Sequence, residues 1–121
     1  MPADAVLILS GDPDVGALLA DLLELAGYWP AFVAADERPE DAVARLRPRA
    51  VIVDCDLPDA RANALYRATA VHGASVILFS PGRPWDEVAR RAAPRGLPFF
   101  ALPIRPAELA QLTEHPERAH A

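Results

Sequence analysis

Five short apolar runs, separated by stretches with helical spacing, constrain this chain more than any other feature. The runs are Ala5-Val-Leu-Ile-Leu9, Trp29-Pro-Ala-Phe-Val33, Ala50-Val-Ile-Val53, Ser75-Val-Ile-Leu-Phe79 and Phe99-Phe-Ala-Leu102. Their hydrophobicity is continuous rather than alternating, which is the pattern of strands buried on both faces. The clearest helical stretch follows Asp12-Pro13, a pair suited to an N-cap and a first helical position. It sets Val15, Leu18, Leu19, Leu22 and Ala26 on one side before Gly27 stops it. Further helices are expected from Pro39 to just before Pro48, from Ala60 to Val71, from Pro84 to Ala93 and from Pro106 to Thr113. Neighbouring parallel strands need a crossover, so short strands alternating with helices predict an α/β fold of (βα)5 type: a parallel sheet with helices on both faces.

The 121 residues suit one compact domain, expected over residues 1–113, with a polar, proline-broken tail over 114–121 that should fray. Any output domain is then expected on another protein. The net charge of -5 argues against a nucleic-acid footprint, which needs a clustered positive face. No apolar run approaches the roughly 20 residues of a membrane-spanning helix, and no leader pattern opens the chain, so a cytoplasmic, membrane-free location is expected. The single cysteine, Cys55, excludes an internal disulfide and reads as a small apolar filler. All 12 basic residues are arginine, and there is no lysine.

In an open parallel sheet, ligands bind in the crevice beyond the carboxyl ends of the strands, where the strand order reverses. The residues falling there are Ser10, Gly11 and Asp12 after the first run, Asp54 after the third, Ser80 after the fourth and Leu102-Pro103 at the end of the fifth.

At these positions the chain resembles the receiver domains of two-component response regulators. Val51-Ile-Val-Asp-Cys-Asp-Leu-Pro58 is similar to that family's apolar strand, phosphoacceptor aspartate, two variable residues, then Leu or Met and Pro. Ser80 falls on the family's Ser or Thr that contacts the phosphoryl group, and Leu102-Pro-Ile-Arg-Pro-Ala-Glu-Leu109 falls on the stretch that begins Lys-Pro and ends Glu-Leu. The resemblance spans essentially the whole chain. It implies a flavodoxin-like fold with strand order 2-1-3-4-5, Asp54 as phosphoacceptor, a cis bond before Pro103 and an aromatic switch position at Phe99.

The same register exposes departures. The family's acidic pair falls on Ser10 and Gly11, and its lysine on Leu102. Phosphoryl transfer depends on neutralising charge spread over the phosphoryl oxygens, much of it by Mg²⁺. Mg²⁺ prefers near-octahedral oxygen ligands that include protein carboxylates, so a hydroxyl and a glycine make a poor substitute. Asp12 and Asp56 are the remaining carboxylates near Asp54 and the candidates to join it as metal ligands, but Asp before Pro reads better as a helix cap.

The expectation is therefore a stand-alone, atypical receiver of a two-component or phosphorelay pathway. It would be no enzyme, would need no cofactor, and would act by protein–protein interaction with a histidine kinase or a separate output protein. The family's docking surface of helix four, strand five and helix five is the expected face, also for a homodimer. The alternative is a response regulator that accepts a phosphoryl group on Asp54. A flavodoxin-like small-ligand module is more remote, since no Gly-x-Gly-x-x-Gly loop is present. His72, His115 and His120 fall in loop or tail positions and receive no catalytic role.

Overall fold

The computed structural model describes residues 4–116. Strands β1 (Ala5–Leu9), β2 (Trp29–Phe32), β3 (Ala50–Asp54), β4 (Ser75–Ser80) and β5 (Phe99–Ala101) form one parallel sheet. Helices α1 (Pro13–Leu25), α2 (Pro39–Leu46), α3 (Asn63–His72), α4 (Trp85–Ala92) and α5 (Pro106–Glu114) connect them in alternation. The strand order is β2-β1-β3-β4-β5, so the order reverses between β1 and β3, as the resemblance implies.

The runs of β1, β3, β4 and β5 feed two cores, because successive strand side chains point to opposite faces. Leu7, Leu9, Val51, Val53, Val76 and Leu78 join Ala42 and Val43 of α2, Leu65 of α3 and Ala92 of α4 on one face. Val6, Ile8, Ile52, Ile77 and Phe79 join Leu19 and Leu23 of α1 and Leu109 of α5 on the other. The unbroken hydrophobicity of β1, β3 and β4 follows from this double burial. β2 departs from the expectation: it is an edge strand, and Trp29 and Phe32 are about half exposed.

Other boundaries shift for local reasons. The helix expected over Ala60 to Val71 divides in two. A 3₁₀ turn covers Pro58–Arg61, the extended backbone of Ala62 interrupts it, and α3 begins at Asn63. β2 ends before Val33, and β5 ends before Leu102, where the Leu102–Pro103 bond is cis. Helix α2 closes on Arg47 at φ 47°, a left-handed C-cap whose N–H bonds the Val43 carbonyl just ahead of Pro48.

The carboxyl end of α5 runs one residue past the expected domain end, and Glu114 is fastened there. Its carboxylate accepts hydrogen bonds from the Tyr28 hydroxyl and from Arg49 Nη2, the latter at 3.2 Å. Arg49 also reaches Asp4 at 3.0 Å and the Thr113 carbonyl at 3.3 Å, so one guanidinium ties the start of β1, the approach to β3 and the end of α5 together. Burial, and then the bond to Glu114, push the Tyr28 phenol well above its ordinary value, keeping it the donor. Residues 117–121 of the expected tail lie outside the described residues.

Glu114→Ala removes the acceptor of a buried phenol and one arm of this clasp. It should lower the unfolding free energy by about 1–2 kcal/mol. In urea denaturation the midpoint should fall with an unchanged slope; an unmoved midpoint would show that the clasp adds nothing.

Candidate functional site

The crevice at the carboxyl ends of β1, β3 and β4 is built around Asp54. β3 is buried along its length, and Asp54, its last residue, retains only 8% exposure. The chain turns at once: the Asp54 carbonyl accepts from Leu57 N–H at 3.0 Å, and its side-chain Oδ1 accepts from Asp56 N–H at 2.9 Å. One carboxylate oxygen is thus engaged in the turn that follows the strand.

Ser80 ends β4 and is buried. Its Oγ accepts the N–H groups of Arg83 at 2.8 Å and Gly82 at 3.3 Å, which folds the β4–α4 loop back over the strand end. Ser10 serves its own turn as well, its hydroxyl bonding the Asp12 carbonyl at 3.1 Å. Asp12 caps α1, its carboxylate accepting Asp14 N–H at 2.9 Å. Beside Gly11, the position of a Cβ would lie 3.4 Å from Leu57 Cδ2, so an apolar side chain borders the place of the second acidic residue. Leu102 packs into the core shared by α1 and α5, and its N–H bonds the Ser80 carbonyl at 3.1 Å. The structure thus gathers Asp54, Asp56 and Ser80 at the strand ends. It sends Leu102 into the core and leaves Arg105 exposed beside Glu108.

Two residues that sequence reasoning did not assign dominate the charge here. Arg83 places its Nε 2.9 and 3.0 Å from the two Asp56 oxygens and its Nη1 2.8 Å from Glu87. Arg91 reaches Asp56 at 3.1 Å and the Cys55 carbonyl at 3.3 Å. Asp56 therefore carries two guanidiniums. No local signal pairs them with Asp56, because only the fold brings the β4–α4 loop and α4 to the turn after β3.

Asp54, Cys55 and Asp56 bring their ligand atoms within 4.8 Å of one another. This donor set does not fit Mg²⁺. Asp56 is already paired with two arginines, Asp12 is a cap, and the Cys55 thiol is a soft ligand whose pKa is pushed up chiefly by burial. Of the two carboxylates in this cluster, Asp56 is held in ion pairs and Asp54 is not.

Beside the crevice, a cavity of about 390 Å³ is lined by Ser10, Phe32, Val33, Glu37 and Leu57. Arg45 grips Glu37 with two hydrogen bonds of 2.7 and 2.8 Å, and Ala34 N–H adds a third at 3.0 Å. These bonds, those from Arg45 foremost, hold the Glu37 carboxyl down at about 2.

No protein-family model matches this chain, and no curated protein matches its sequence. Solved structures do match along nearly its whole length. The signal receiver domain of a modulated diguanylate cyclase from Desulfovibrio desulfuricans G20 superposes with a TM-score of 0.71 at 22% identity, covering 98% of this chain and 97% of that one. A sensor protein from Polaromonas sp. JS666 gives 0.70 at 25% identity, covering 99% and 100%. The receiver domain of a sensor histidine kinase from Pseudomonas aeruginosa, with a magnesium ion coordinated in its active site cleft, gives 0.69 at 18% identity, covering 98% and 99%. The fold is that of the response regulator receiver, or CheY-like, domains.

Because the folded pKa of Glu37 lies below the ordinary carboxylate value of about 4.3, its stabilising contribution is complete above that value and is lost as pH falls through about 2. A carboxyl ¹³C titration should place the Glu37 midpoint at about 2, and Arg45→Gln, which leaves the Ala34 N–H bond in place, should raise it toward the ordinary range. A midpoint unchanged by Arg45→Gln would refute the assigned cause.

Proposed function

We propose that this chain is a receiver-like module of two-component signalling that works by protein–protein contact, without Mg²⁺-dependent phosphorylation of Asp54. The observation that carries this reading is the charge balance of the crevice. A phosphoryl group on Asp54 would add negative charge beside Asp56, and the usual means of neutralising it are missing: no acidic pair to hold a cation, and an apolar Leu102 in place of a lysine. The guanidiniums nearest the site are already committed to Asp56 and Glu87.

Contact as the mode of action agrees with the face built by α4, β5 and α5. Trp85, at the start of α4, is 60% exposed and lies against Phe99 of β5, ring centroids 4.8 Å apart. Phe99, the expected aromatic switch position, thus supports an exposed tryptophan of the sort that anchors protein interfaces. A histidine kinase or a separate output protein is the proposed partner, and a second copy of the chain is its homodimeric counterpart. No helix among the described residues is long and apolar enough to cross a membrane, which agrees with a module that meets its partners in the cytoplasm. Nothing in the crevice presents a nucleophile paired with a general base, so the module is proposed to be no enzyme.

Intact mass spectrometry after incubation with a small phosphodonor and Mg²⁺ tests the reading. The expected spectrum shows only the unmodified chain, and beryllofluoride with Mg²⁺ should leave its amide NMR spectrum unchanged. A phosphoryl adduct present in the native chain and lost in Asp54→Asn would overturn the proposal and establish a phosphoryl-accepting receiver.

A further inference from the structure

A second cavity borders the turn that follows Asp54, with Cys55 in its lining. Its volume is about 330 Å³, at the small end of the range of roughly 300–1,000 Å³ typical of small-molecule sites. Helix α3 packs on α2 rather than on α4, and the cleft this leaves is floored by Leu78 and Cys55 and walled by Ala60 and Tyr66. Pro94 and three arginines complete the lining: Arg61 from the turn before α3, Arg91 from α4 and Arg95 from the turn after it.

The charge of this lining is opposite to that of the molecule. The chain carries a net charge of -5, yet no carboxylate is among the residues that line the cavity. The arginines differ in how they are held. Arg95 lies over the Tyr66 ring, its guanidinium carbon 3.8 Å from the centroid, and donates to Asn63 Oδ1 at 3.2 Å. Arg95 is thereby preorganised without its charge being neutralised. Arg61 makes no ion pair among the described residues, and Arg91 is shared with Asp56.

We infer that this cleft binds a small phosphorylated molecule with a planar body, of the nucleoside monophosphate kind. The apolar floor and the Tyr66–Arg95 stack receive the planar part, and Arg61 and Arg91 take the phosphate through charge-assisted hydrogen bonds. An inorganic anion would satisfy the arginines but leave the apolar floor unused. A neutral planar molecule would leave the cations unmatched. The site is coupled to the crevice by a shared residue: a phosphate that draws on Arg91 competes with Asp56, two residues from Asp54, for the same guanidinium. Occupancy of the cleft would therefore loosen the clamp on the β3–α3 turn.

The test is an amide NMR titration of the full chain at constant ionic strength with adenosine monophosphate, adenosine and inorganic phosphate, each alone. The monophosphate should give saturable shifts centred on Arg61, Tyr66, Arg91 and Arg95 and extending to Asp56, with adenosine and phosphate each bound at least about tenfold more weakly. Arg61→Ala combined with Arg95→Ala should weaken the monophosphate by about tenfold or more, while Arg105→Ala, on an exposed arginine outside the cleft, should leave it unchanged. Unchanged amide dispersion in each variant would establish that it remains folded. Absence of saturable shifts with the monophosphate, equal affinity for inorganic phosphate, or affinity insensitive to the paired arginine substitution would each overturn the inference.

Discussion

The pairing of β3 with β1 on one side and β4 on the other, with both sheet faces dry, is the constraint on which the rest of the molecule depends. Every residue of β3 is buried, and its ladders to both neighbours hold it in register, with Val53 beside Leu9 of β1 and Leu78 of β4. That fixed register places Asp54 opposite Phe79 and one step from Ser80. A carboxylate at the end of such a strand is held by the whole sheet rather than by its neighbours. Its position is therefore rigid even though the turn that follows is built from short local hydrogen bonds.

How much of this the sequence discloses depends on whether the signal is local. The strand runs are legible because burial on both faces demands unbroken apolar residues, and α1 is legible because Asp12, Pro13 and Gly27 mark its ends. The division of the third helix is not, since Ala62 carries no breaker and leaves the helical region only because the 3₁₀ turn after Pro58 ends there. Edge exposure of Trp29 and Phe32 is likewise hidden, because strand order is a property of the whole sheet. At the crevice, Asp54, Ser80 and the departures at Ser10, Gly11 and Leu102 could be read from spacing. The arginine clamp could not: Arg83 and Arg91 lie 27 and 35 positions from Asp56, and only the fold brings them to it.

That clamp changes the electrostatic character of the crevice. A metal ion held by carboxylates is exchangeable, and its charge enters and leaves with the ligand chemistry it serves. A guanidinium fixed to Asp56 by two oxygens is permanent, since arginine does not deprotonate in the working range of a protein. The pairs are partly exposed, with side chains of Arg83, Arg91 and Asp56 at 38%, 37% and 44%, so each contributes modestly to stability. Their effect lies in specificity: they occupy Asp56, the carboxylate that clusters with Asp54.

The same residues give the loops around the crevice a common mechanical link. Ser80 anchors Arg83 through its backbone, Arg83 anchors Asp56 and Glu87 through its side chain, and Arg91 adds the Cys55 carbonyl. The ends of β3 and β4 and the first turns of α4 are thereby joined in one polar network above the sheet. In a domain whose crevice charge was set by an exchangeable ion, these loops would be free to rearrange around each new charge state. Here side chains and backbone of the protein themselves join the loops. Rearrangement of the turn after Asp54 requires first breaking an arginine contact to Asp56, and of the two arginines only Arg91 also lines the neighbouring cleft. Arg91 is thus the residue through which the neighbouring cleft and the turn after Asp54 are physically linked.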